Sequence, residues 1–287
     1  MITDRSTAVL AHGLGGSTDL PIPLSYALIG AAWALTFTFA VVALAWRRPR
    51  FDPDKPGRPL LRRVTTLVDA PATRWAVAIG NPFDHLPSLP VRAGTVAVLA
   101  VLLGSTAFDS FSATPQWRGF VDDHSDSAAT ATLLRTAGLL VFAAVVAGAF
   151  WLAARATGGV NAQRRRELPG LMAHSLIPIV IGYVFAHHLT YLVERGQQTF
   201  ILRFGLGDVQ VNYVLSMHPS LLATIKVGCV VTGHIAAVIA AHDSALRFSP
   251  ASGRCPQPAG HQLTGQLAMM LVMVGYTFTG LYLLFGG

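Results

Sequence analysis

The chain has 287 residues, 52% hydrophobic and 12% charged, with a mean hydropathy of +0.51. A soluble domain carries about 25% charged residues and arranges its apolar residues in stripes rather than in blocks that are apolar all round, so a soluble globular fold is excluded. The net charge of +7 does not point to nucleic acid, because the basic residues sit in short segments between apolar blocks, where a membrane protein keeps its topology signals.

The apolar blocks predict an all-α, polytopic transmembrane bundle. A helix needs roughly 20 apolar residues to cross the hydrocarbon core. Six spans are predicted, at 23–46, 91–109, 132–155, 171–193, 219–242 and 262–285, within one membrane domain covering 1–287. Residues 1–20 carry His12 but no apolar core of a secretory signal, so the first span is expected to act as its own insertion signal. The basic loop 47–90 contains Pro49, Pro53, Pro56, Pro59 and Pro71 and cannot be one continuous helix. Its segment 60–80 mixes Leu60, Leu61, Val64, Leu67, Trp75 and Val77 with arginines. It reads either as an interfacial helix pair or as a solvated basic linker.

The second span is short and ends at Asp109. The following segment, 110–131, carries Asp122, Asp123 and Asp126 and is expected to be solvated. The fourth span holds His174, Tyr183, His187 and His188. The fifth holds Lys226, Cys229, Thr232, His234 and His242, followed by Asp243. Cys229 lies in an apolar block and Cys255 in a basic loop, so no disulfide framework is expected.

Lys and Arg set the orientation. Segments 47–92, 155–167 and 243–261 hold nine, four and two of the 21 basic residues. They are alternate loops and share one side, which the positive-inside rule makes cytoplasmic. Six spans then put both termini outside. The expected location is the plasma (inner) membrane, multi-pass, with the lipid bilayer as the first partner. A membrane partner subunit and a small-molecule or ion ligand remain open.

No GxxxxGK[ST] loop, GxGxxG fingerprint, HExxH pair or GxSxG elbow is present. HGLGG at 12–16 is similar to the oxyanion loop of lipases but has no nucleophile elbow to serve. The chemistry therefore rests on polar residues at membrane depth. Each costs about 2.5–3.5 kcal/mol on translocon scales, so such groups normally face the bundle interior. At about 1.5 Å rise per residue, His187 and His188 lie outward of the midplane, level with Lys226, near Asp109 and on the side of His12. These five form an expected outer group. His174, His234, His242 and Asp243 form an inner group. His234 and His242 are about 12 Å apart along the axis, too far to share one ion.

Three readings follow. A metal site would use Asp109 and His187 as the catalytic pair, with His12, Asp109, His187, His188, His234 and His242 as candidate ligands. Imidazole and carboxylate suit a divalent transition metal such as Zn or Cu. Haem is disfavoured. His174 and His188 lie about 21 Å apart on nearly one face, but His234 and His242 do not supply the matching pair. A proton or ion path would run through His234, Tyr183 and His187. Against all three stands hydrogen-bonded packing, with His188, Tyr191 and Glu194 as an interfacial belt and Lys226 snorkelling outward.

Several strings resemble an actinobacterial multi-span membrane family whose members are often named fenitrothion hydrolase. They are AHGLGGSTDLPIP at 11–23, WRRPRF at 46–51, FDSFSATPQW at 108–117, SLIPIVIGYVFAHHLTYLVERGQ at 175–197, GHIAAVIAAHDSAL at 233–246 and MMLVMVGYTFTGLYLL at 269–284. The resemblance implies a metal-dependent membrane hydrolase of organophosphate esters, with His12, Asp109, His187, His234, His242 and Asp243 at the matching positions. The chain looks like a shortened member, since NPFDHLP at 81–87 runs almost directly into the second span. The alternative is a metal- or proton-handling transporter or accessory membrane subunit without catalysis.

Overall fold

The computed structural model describes residues 19–46, 94–157, 162–207, 209–248 and 259–285, without the side chains of 164, 248 and 259–265. The helices are α1 (Leu24–Ala45), α2 (Thr95–Ser112), α3 (Pro115–His124), α4 (Ala128–Ala156), α5 (Ala162–Leu171), α6 (Ile177–Thr190), α7 (Gly196–Phe204), α8 (Val214–Met217), α9 (Pro219–Phe248) and α10 (Ala259–Phe285). Among the described residues there is no strand. Among the described residues, six helical segments are long and apolar enough to cross a membrane: Leu24–Ala45, Thr95–Ser112, Ala128–Ala156, Arg165–Phe204, Pro219–Arg247 and Gln266–Phe285. His12, His85 and the whole of loop 47–90 lie outside the described residues.

The outward faces are apolar, as lipid requires. Trp33, Phe37, Leu44, Leu133, Leu140 and Leu202 are all exposed. A bilayer offers no water to hydroxyl groups, so many threonine hydroxyls of the spans bond within their own helices. Thr36 donates to Ala32 O, Thr106 to Leu102 O and Thr277 to Met273 O, at 2.8–2.9 Å. The interior holds Leu35, Phe150, Ile179, Val230, Met273 and Leu281, with α6, α9 and α10 at its centre.

The segments before and after α2 correct two sequence expectations. The second span starts at Thr95 and ends at Ser112, three residues beyond the expected end. The acidic segment after it is not simply a solvated loop. Thr114 and Ser127 cap α3 and α4, accepting from the N–H of Trp117 and Thr130. The Trp117 ring then packs edge-on against Phe108 at 5.4 Å. Asp122 and Asp123 remain exposed, as their charge demands.

The fourth span is not one helix. Pro178 has no N–H to give the carbonyl of His174, so the N–H of Ile177 takes it and the turn Ala173–Leu176 tightens to 3-10. A π-helical turn follows at Tyr191–Arg195. There Glu194 is buried rather than part of an interfacial belt. Its two carboxylate oxygens accept from the Ser216 N–H at 2.8 Å and the Ser216 hydroxyl at 2.7 Å, tying α8 back to the span.

The largest helix interface is between α6 and α9. It is closest at a glycine pair. A Cβ on Gly182 would stand 2.5 Å from the Cys229 carbonyl oxygen, and one on Gly233 would stand 2.5 Å from that of Pro178. Only hydrogen at both positions lets the backbones meet this closely. Tyr183 lies over Gly280 of α10 in the same way. These contacts set the height of α6 against its neighbours.

Candidate functional site

Long-range hydrogen bonds fix which residues share a level. His242 bonds the carbonyl of Trp46, and His174 bonds Ser244. Asp109 bonds His187, and Tyr183 reaches Gly280. The spans therefore alternate in direction. Trp46, His174 and His242 mark one end of the bundle, and Asp109, His187 and Glu194 mark the other.

At the second end, α2 finishes in the string FDSFS, which puts Asp109 and Ser110 side by side. Tyr183 and His187, four residues apart on α6, lie on one face and turn towards α2. The His187 Nε2 lies 2.8 Å from Asp109 Oδ2, with side-chain exposures of 3% and 54%. The pair thus spans the boundary: the carboxylate reaches the surface and the imidazole is inside. With Nε2–H donated to the carboxylate, Nδ1 is the acceptor in the neutral ring, and Ser110 Oγ lies 3.4 Å from it. Ser110 is buried, also stands 3.4 Å from Thr106 O, and meets the Tyr183 side chain. The Tyr183 hydroxyl donates to Gly280 O at 3.5 Å. A polar chain thus runs from a half-exposed acid through imidazole and hydroxyl to a buried phenol.

The remaining outer candidates diverge from this chain. His188 is exposed, and its Nδ1–H is donated to the Val184 carbonyl at 3.1 Å. Its ring lies edge-on to that of His187 at 4.8 Å between centroids. Lys226 does not snorkel: it is buried, within the field of the Asp19 carboxylate. His12 lies outside the described residues.

The inner candidates are each held separately. His242 is buried between Gln266 Oε1, 2.8 Å from Nδ1, and the Trp46 carbonyl, 2.9 Å from Nε2. The neutral ring satisfies both if Nε2–H is donated to Trp46 and the Gln266 amide turns its NH2 to Nδ1. Asp243 accepts from Arg247 Nε at 3.1 Å, and His174 Nε2–H is donated to Ser244 at 2.8 Å. His234 donates Nδ1–H to the Val230 carbonyl at 2.8 Å, while its buried Nε2 meets no hydrogen-bond partner among the described residues. Among the described residues no group of three or more His, Cys, Asp or Glu side chains is placed to hold a metal ion.

Sequence reasoning missed Ser110, Gln266 and the partner of Glu194. Gln266 was visible as an amide in an apolar span, four residues after Gln262. Ser110 carries no such signal, because a serine beside Asp109 becomes meaningful only when α6 brings His187 to it. Compared with family models, curated proteins and solved structures, the chain matches none.

Proposed function

We propose that this integral membrane protein handles protons at the Asp109 end of its bundle, as a proton-coupled permease or an accessory membrane subunit. The observation that carries this is the 2.8 Å contact between the half-exposed Asp109 carboxylate and the buried His187 ring. An acid at the surface can exchange with water, and imidazole is the side chain suited to pass a proton on near neutral pH. Ser110 and Tyr183 continue the path inward. The positive-inside rule assigns this end to the outer face of the plasma membrane.

The test is proton entry into liposomes containing the purified protein, read with an internal pH dye under an imposed potential. Asp109→Asn and His187→Gln keep the shapes but remove the exchangeable carboxyl and the relay ring. Each is expected to cut entry by about 100-fold or more, the usual scale of a lost acid–base group. Entry no faster than in empty liposomes, or equal in all three proteins, sinks the reading.

A second reading is favoured by one further feature, the order carboxylate, imidazole, hydroxyl in Asp109, His187 and Ser110. That order, with the resemblance to the fenitrothion hydrolase family, supports hydrolysis of organophosphate esters. In its metal-dependent form, Asp109 and His187 would help hold Zn or Cu, with His12 as a further ligand, and the ion would lower the pKa of bound water. His187 would first have to release Nε2 from Asp109. Release of a nitrophenol from an organophosphate triester, lost in His187→Ala and on chelation, would establish this reading over proton handling alone.

A further inference from the structure

We propose that a small cavity at the Trp46 end of the bundle is a thioether site for a soft monovalent ion, Cu(I) or its surrogate Ag(I). The cavity is lined by Met172, Met269, Met270 and Met273, with His242 and Gln266 on one wall. The whole chain has six methionines, so most of its thioethers meet at this one place. Met269 and Met273 are four residues apart and share a face of α10, with Met270 beside them. Met172 comes from the opposite direction, at the junction between α5 and the 3-10 turn. Met172, Met269 and Met273 are buried.

The size and chemistry of the space select the occupant. About 10 Å³ is open to the centre of a water-sized species, which is the lower limit for one water molecule. A water there would need two to four polar partners. Most polar groups on the wall are engaged: His242 by Gln266 and Trp46, and the Thr157 hydroxyl by the Ala153 carbonyl. Beyond the other end of the Gln266 amide, the donors that the described lining offers are sulfur. Thioethers are soft, neutral donors that favour Cu(I) over harder divalent ions. Methionine is also a flexible filler of irregular gaps, and the experiment separates that role from ligation. The proposal does not depend on the Asp109–His187 reading.

The test uses the full chain purified in detergent, kept anaerobic with ascorbate and offered Cu(I) against a bicinchoninate competitor. The expected result is one Cu(I) retained per chain, with an X-ray absorption spectrum dominated by sulfur scatterers. Loss of an outer-shell partner costs a metal site about 10–100-fold in affinity. Removing two direct ligands in the Met269→Leu/Met273→Leu double variant should weaken retention by at least that much. Leucine nearly conserves the volume, so the fold should survive. The single variants Met172→Leu and Met269→Leu serve if the double variant does not fold. Met217→Leu, at an exposed residue of α8, should retain the ion. The proposal is overturned if the unaltered chain retains no Cu(I), if the methionine variants retain as much, or if retention is lost in His187→Ala instead.

Discussion

Replacing Gly182 with alanine tests whether the α6–α9 contact sets the geometry of the bundle. The new Cβ would lie 2.5 Å from the Cys229 carbonyl oxygen and 3.2 Å from the Gly233 Cα, whereas ordinary contact begins at 3.4 Å. The helices must therefore part by about 0.9 Å at their closest point. Both obstacles are backbone, so no side chain can swing aside. Overpacking of this kind costs about 1–3 kcal/mol. Gly233→Ala meets the Pro178 carbonyl oxygen at the same 2.5 Å and should cost a similar amount. The two substitutions act on one contact. The double variant should therefore lose less than the two singles together, with a coupling of roughly 0.5 kcal/mol or more. Gly228→Ala is the control, since its Cβ would meet nothing within 4 Å and alanine is the better helix former by about 0.8–1 kcal/mol. The assay is thermal unfolding in detergent followed by tryptophan fluorescence. For a chain of this size each kcal/mol moves the midpoint by roughly 2–4 °C, so Gly182→Ala should melt several degrees below the parent chain. If it melts with Gly228→Ala, the close approach does not exist and the argument for the height of His187 falls with it.

Glu194→Gln should destabilise by about 1–3 kcal/mol. Both bonds lose the charge of their acceptor, and the Ser216 hydroxyl must turn round to accept from the new amide; Ser216→Ala should lose less, which thermal melts of both variants would check. His242→Leu strands the Trp46 carbonyl and the Gln266 amide. Interhelical polar pairs in membrane bundles are worth about 0.6 kcal/mol on average and about 1.7 at most, so a loss of roughly 1–2 kcal/mol is expected in the same melts, with Gln266→Leu/His242→Leu recovering part of it. Tyr276→Phe removes a 2.6 Å bond to the Val146 carbonyl and should cost about 0.5–1.5 kcal/mol; an unchanged melt would mean that the hydroxyl is not bonded there.

The spans were legible because lipid imposes one rule on every residue facing it, and a block such as 24–45 satisfies that rule without reference to the rest of the chain. The breaks in the fourth span were less legible. Pro178 signals a local disturbance, but nothing local announces the π-helical turn at Tyr191–Arg195, whose Glu194 bonds Ser216 22 residues further on. Rise per residue places Asp109 and His187 at one level, and they lie within hydrogen-bond distance of each other. His188 shares that level, yet hydropathy cannot tell adjacent residues apart: a step of about 100° around the helix sends one ring into the bundle and the other out. His234 and His242 share a helix but find unrelated partners, because those partners belong to the helix itself and to two other elements.

Pro178 has an effect on direction as well as on bonding. A 3-10 turn advances about 120° per residue against about 100° in an α-helix, so the four residues Ala173–Leu176 swing the remainder of the span by roughly 80°. A straight α-helix would set His174 and His187, thirteen residues apart, about 140° from each other, and the tighter turn changes that angle by roughly 60°. His174 bonds Ser244 on α9 and His187 bonds Asp109 on α2. Two imidazoles of a single crossing thus meet different neighbours, and the two ends of the bundle acquire separate polar partners.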